Sequence, residues 1–186
     1  MSFAVWRKGE RIGRHRISLM RQGESVAAAI DVELTVRLLG LPIYRYRHHA
    51  QERREGPRLV AFEARTDDDG RVTWLNGAAE PAGFRLRTHE GEALLPPTVT
   101  ASTWWDEAAL GRRPWLNAQS GRLAEVEVRR MGNEAVARGA GQAMARHYRV
   151  DGDIRCEVWY AEADGAWLKC RFFSRRSGSD IDYVRD

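Results

Sequence analysis

The sequence is poor in most of the features that mark a familiar chemistry. Its 186 residues hold two cysteines, Cys156 and Cys170, with no CxxC or Cys-x-His company, so neither a zinc ribbon nor a disulfide-stapled scaffold is indicated. The five histidines are His15, His48, His49, His89 and His147, and none has a second ligand at a spacing typical of zinc. No metal site is expected. No phosphate loop, dinucleotide fingerprint, nucleophile elbow or HExxH occurs, which argues against the commonest enzyme classes and implies no cofactor. No apolar run approaches the ~20 residues that a membrane-spanning helix requires, so no transmembrane segment is expected. The opening residues, MSFAVWRKGERIGRH, lack a basic stretch followed by an apolar core and do not read as a secretory signal. As written, the chain reads as cytoplasmic, or as a mature form with a methionine placed in front.

Lysine is nearly missing: of 30 basic residues only Lys8 and Lys169 are lysines. The arginines are scattered among 26 acidic residues and leave a net charge of +4, the pattern of a solvated mixed-charge surface and not of a nucleic-acid footprint. Hydrophobic residues make up 43% and charged residues 30%, a globular composition. A chain of this length fits a single domain, 1–186, able to bury roughly 70% of the surface its unfolded form exposes.

What the sequence does have is alternation. From Ser25 to Leu39, Val26, Ala28, Ile30, Val32, Leu34, Val36 and Leu38 fall on even positions, and Asp31, Glu33, Thr35 and Arg37 on odd ones. A strand with one dry and one wet face follows. At ~3.3 Å per residue it would run roughly 40 Å, and a strand that long has to coil with its sheet. The same alternation recurs over Phe3–Arg7, Ile12–Arg21, Pro42–Glu55, Leu59–Thr66, Leu123–Met131, Asp153–Tyr160, Trp167–Phe173 and Asp180–Val184. Turn residues punctuate it at Lys8-Gly9-Glu10, Gln22-Gly23-Glu24, Gly56-Pro57, Asp68-Asp69-Gly70, Asp164-Gly165 and Ser177-Gly178. Short connections between such strands require antiparallel pairing. Residues 76–97 read as loop-rich from Pro81, Gly83, Gly91 and Pro96-Pro97. Asn133–His147 is alanine-rich but carries Gly139 and Gly141 at its centre, and reads as a hairpin. The fold class expected is mostly β: one strongly curved antiparallel sheet, a half-barrel, with a short helix-and-loop plug.

That plug is Thr98–Leu123, which holds Trp104, Trp105 and Trp115 of the seven tryptophans. Asp106–Leu110 can form a turn or two of helix, Gly111 would end it, and Pro114 cannot continue it. Its rings either cap the core of the sheet or wall a cavity on its concave face.

In PIYRYRHH, Tyr44, Tyr46 and His48 share one strand face while Arg45, Arg47 and His49 share the other. Tyrosines of this kind either anchor a sheet or give a pocket a polar end, with His48 or Tyr46 then a candidate for proton transfer. Glu52 shares the face of His48 and could orient its imidazole. Cys156 and Cys170 share the apolar parity of adjacent hairpin strands; directly opposite they could form a disulfide, and otherwise they act as small buried hydrophobes. Their apolar surroundings argue against a nucleophilic role.

IYRYRH (43–48), RTDDDG (65–70), TWWDEAAL (103–110), LNAQSGRL (116–123), WYAEADGAW (159–167) and GSDIDY (178–183) resemble an uncharacterised bacterial domain-of-unknown-function family of exported β-rich proteins. The likeness covers nearly the whole chain and supplies no catalytic residues; if this is a mature form, it implies a periplasmic location. More loosely, the architecture is similar to LolA/RseB-type half-barrels, which hold lipids, lipoproteins or peptides in a cavity beneath a curved sheet. The function expected is therefore a carrier for a hydrophobic small molecule or lipid, with Tyr44, Tyr46, His48, Trp104, Trp105 and Trp115 as ligand contacts. A cofactor-free biosynthetic enzyme on the same scaffold is the alternative. A protein-interaction module using the arginine-rich outer face is the third.

Overall fold

Period-two hydrophobicity forces a strand to bury one face, and the computed structural model shows strand after strand doing so; it describes residues 1–174 and 178–186. The first eight strands are β1 (Ser2–Arg7), β2 (Glu10–Gln22), β3 (Ser25–Leu38), β4 (Leu41–Glu55), β5 (Arg58–Asp68), β6 (Arg71–Glu80), β7 (Gly83–Thr88) and β8 (Gly91–Leu95). Three two-residue strands follow, β9 (Thr100–Ala101), β10 (Trp115–Leu116) and β11 (Leu123–Ala124). The last five are β12 (Val126–Arg138), β13 (Gly141–Gly152), β14 (Cys156–Ala161), β15 (Trp167–Ser174) and β16 (Ser179–Arg185). Of the expected turn at Ser177-Gly178, Ser177 lies outside the described residues.

Thirteen strands make one sheet in the order β12-β13-β14-β15-β16-β1-β2-β3-β4-β5-β6-β7-β8, antiparallel throughout. The first and last strands pair in its interior, and the sheet does not close, because β8 and β12 are left as edges. Residues 96–125 connect those edges and form the plug, whose own small sheet pairs β10 with β9 in parallel and with β11 antiparallel.

Curvature follows from who touches the plug. The Tyr160 hydroxyl of β14 donates to the Trp104 carbonyl at 2.9 Å, and Trp105 Nε1 donates to Glu52 of β4 at 3.1 Å. Those strands are six steps apart, roughly 29 Å in a flat sheet at ~4.8 Å per step. Two adjacent residues reach both because the sheet wraps around them. The plug also packs on the β6–β7 region: Gly121 has φ 76°, and a Cβ there would lie 2.6 Å from Leu75 Cδ2.

One expectation needs correcting. Residues 76–97 are not mainly loop; they complete β6 and form β7 and β8, with Phe84 and Leu86 buried. Pro81, Gly83, Gly91 and Pro96-Pro97 sit at strand ends and turns, where they punctuate the sheet without interrupting it. The plug's helix does end at Gly111: Glu107–Gly111 is a 3₁₀ turn, N-capped by Asp106 and C-capped by Arg112. The Asn133–His147 hairpin does form, within β12 and β13. Among the described residues no helix is long and apolar enough to cross a membrane.

Candidate functional site

The concave face is divided in two. Toward one end the plug fills it; toward the other lies a half-open cavity of about 650 Å³. Strand β3 supplies the apolar wall with Ile30, Val32, Leu34 and Val36, and Phe172 of β15 and Ile181 of β16 also line it. From the plug, Trp104 lines it too. Trp104 has φ 68°, a backbone setting that a bulky residue rarely takes. Its ring meets Trp115 and Phe172 edge-on, each with centroids 5.5 Å apart.

The polar lining comes from alternate positions of β4, from β5 beside it, from β2 beyond β3, and from the plug. The Tyr44 hydroxyl donates to Asp68 Oδ1 at 2.7 Å. Tyr46 is buried, and burial, with Tyr183, Tyr44 and Asp68 nearby, pushes its phenol well above the ordinary range. His48 Nδ1 lies 2.9 Å from Thr66 Oγ1. Burial, reinforced by His49, lowers the His48 pKa to about 4. On β2, His15 also lines the cavity, and burial, reinforced by His48, lowers its pKa to about 3. A bulge at Ile12, where Val5 pairs with Gly13 but Trp6 with Arg11, turns both Ile12 and His15 inward. Gly13 is required there, since a Cβ would lie 1.9 Å from the Glu33 carbonyl oxygen. At neutral pH these imidazoles and phenols are uncharged hydrogen-bonding groups, while the partly or fully exposed Arg7, Asp68, Asp153 and Arg155 put the charges toward the rim.

Of the residues singled out by sequence, Tyr44, Tyr46, His48 and Trp104 line this cavity; Trp105 and Trp115 do not. Trp105 turns into the sheet to reach Glu52, and Trp115 packs in the core with Nε1 donating to the Arg112 carbonyl at 2.9 Å. Glu52 does not orient His48. Its Oε1 accepts from Arg54 Nε and its Oε2 from Thr103 Oγ1 at 2.5 Å, which commits the carboxylate to the plug. Cys156 and Cys170 are buried free thiols, offset by one pair: Cys156 faces Phe172, and Cys170 faces Val158. Sequence reading passed over His15, Tyr183 and Phe172. The signal for His15 was present, since it shares the parity of Ile17 between the exposed Arg14 and Arg16. Among the described residues no cluster of three or more His, Cys, Asp or Glu could hold a metal ion.

An open antiparallel sheet bent around a plug, with a half-open cavity beside it, defines a β-barrel-like protein. The chain belongs to the family described as domain of unknown function DUF6134, whose model matches residues 3–186. It is similar to the crystal structure of a beta-barrel-like protein of domain of unknown function DUF1849 from Brucella abortus, with 11% identity and a TM-score of 0.66 over 98% of this chain and 94% of that one. At that identity the likeness is one of fold. No curated protein matches the chain. The resemblance to an uncharacterised bacterial β-rich family thus holds.

Proposed function

We propose that the protein binds and carries a hydrophobic small molecule or lipid in this cavity. The observation that supports the reading is the dry run Ile30–Val36 along one wall, facing Phe172 and Ile181 across a space of about 650 Å³. Small-molecule sites occupy roughly 300–1,000 Å³ and combine apolar walls with a few placed polar groups. Tyr44, Tyr46 and His48 supply the polar groups, and Trp104 joins the plug to the site.

Proton-transfer catalysis by His48 or Tyr46 has less support. An imidazole with a pKa of about 4 accepts protons poorly at neutral pH, and a phenol raised by burial gives its proton up poorly. The outer-face reading is weakened because many outward arginines already face acids across strands, among them Arg14–Glu33 and Arg129–Asp151, each at 2.8 Å.

The test is native mass spectrometry of protein from its own host, followed by organic extraction. A stoichiometric apolar adduct, lost in a Trp104→Ala protein that keeps its β circular dichroism, is the expected result. A clean apo mass, with no uptake of added lipid extract, would defeat the reading.

A further inference from the structure

The two histidines of the cavity stand on one rung of the sheet. His15 on β2 pairs with Val32 on β3, and Val32 pairs in turn with His48 on β4, so the imidazoles flank one valine on the same face. His15 is only 5% exposed, yet neither of its ring nitrogens has a hydrogen-bond partner among the described residues. Its neighbours are rings: Phe3, Trp167 and Tyr183 lie with centroids 5.3–5.8 Å away. A buried polar group in this condition is costly, and native structures rarely leave one without a function. His48 commits Nδ1 to Thr66 and also lines the cavity. Each neutral imidazole offers one donor and one acceptor.

The surroundings select among ligands. Around these rings lie Val32, Tyr46 and Tyr183, while the charged lining residues Arg7, Asp68, Asp153 and Arg155 belong to the more exposed rim. A carboxylate or ammonium carried in beside His15 would lose its water and meet no charged lining residue there, since the N-terminus and Asp31, whose charges reach that ring, lie outside the lining. Both His15 nitrogens are covered by the surrounding rings, so a hydroxyl or carbonyl that shifts those rings would gain partners that the protein itself leaves unmade. Resting on the carrier reading, we propose that the ligand is an uncharged amphiphile whose hydroxyl or carbonyl end is held by His15 and His48, its apolar body lying along Ile30–Val36 and Phe172.

Matched ten-carbon probes separate the possibilities: 1-decanol, decanoate and decane, added to the full chain at neutral pH, with binding read by native mass spectrometry and tryptophan fluorescence. Decanol is expected to bind about tenfold more tightly than decane, the equivalent of one or two neutral hydrogen bonds, with decanoate the weakest. The His15→Phe variant should lose that advantage, binding decanol and decane equally well. Equal binding of decanol and decane, or tightest binding of decanoate, overturns the inference and leaves the carrier reading standing. No binding of any probe defeats both. Should His15→Phe not fold, the wild-type protein still decides. With ¹⁵N-labelled histidine, the His15 ring nitrogens must shift on addition of decanol and not of decane, and an unmoved resonance overturns the inference.

Discussion

Glu52 and Arg54, two residues apart on the inner face of β4, form an ion pair shut away from solvent, and the plug is tied to the sheet through it. Arg54 Nη1 reaches Asp106 Oδ2 at 3.2 Å and Nη2 reaches Thr100 Oγ1 at 2.9 Å. Asp106 also accepts from Arg112 at 2.8 Å, so two acids and two arginines balance. Removing one partner of such a pair strands a buried charge, whereas removing both strands only the neutral partners Thr100, Thr103 and Trp105. Arg54→Met should therefore cost about 3–5 kcal/mol in urea unfolding, and Glu52→Met/Arg54→Met should cost less than the single change. A single variant within about 1 kcal/mol of wild type would show the pair to be dispensable.

Acid should weaken the fold before the carboxylates titrate. His15 and His48 hold pKa values of about 3 and about 4 in the native state against an ordinary 6.5. Burial is the main cause for both; the N-terminus and His48 push His15 the same way, His49 pushes His48, and Asp31 opposes. Between those values the unfolded chain binds protons that the native one does not, so stability is complete above about pH 6.5 and falls as pH drops toward 4. Each imidazole contributes a slope of up to about 1.4 kcal/mol per pH unit in that window. Urea midpoints across it should show the fall, and His15→Phe should flatten it. An unchanged slope in that variant would contradict the assignment.

At the tip of the β3–β4 hairpin, Leu39 has φ 52° and is 96% exposed, next to Gly40 at φ 81°. A leucine there bears the steric cost of the left-handed region with no packing in return, and asparagine fits it better. Leu39→Asn should raise stability by about 1 kcal/mol, visible as a higher melting temperature. A lower melting temperature would mean that the exposed leucine is held by contacts absent from this structure.

The two thiols should be silent in the native protein. Burial pushes the Cys170 thiol well above its ordinary range, with Cys156 beside it acting in the same sense. Labelling by a disulfide reagent should proceed only as fast as the chain opens, and accelerate about as steeply as unfolding does in urea. Immediate reaction of either thiol in buffer would refute the buried placement.

How far the site was legible depended on whether its signal was local. The inward face of β3 and the inward set Tyr44, Tyr46 and His48 were readable because side chains alternate strictly along a strand. His15 was readable in principle by the same rule, but the bulge at Ile12 breaks the parity of β2 and hides it among arginines. The alliance of Glu52 with Thr103 and Trp105 was not readable: 51 and 53 residues separate the partners, and β4 by itself points Glu52 at the same face as His48. Of three tryptophans in one short segment, only Trp104 lines the cavity, a choice made by its left-handed backbone and its neighbours.

Residue order was enough to specify an antiparallel sheet of long, one-side-dry strands and a segment too rich in tryptophan to stay in solvent. Alternation and turn chemistry are local, and they act before the chain closes on itself. Tertiary structure alone decided how tightly the sheet bends, which half of the concave face the plug fills and which half becomes a cavity. Those outcomes depend on contacts such as Trp104 with Tyr160 and Trp105 with Glu52, between strands that a flat sheet would hold roughly 29 Å apart.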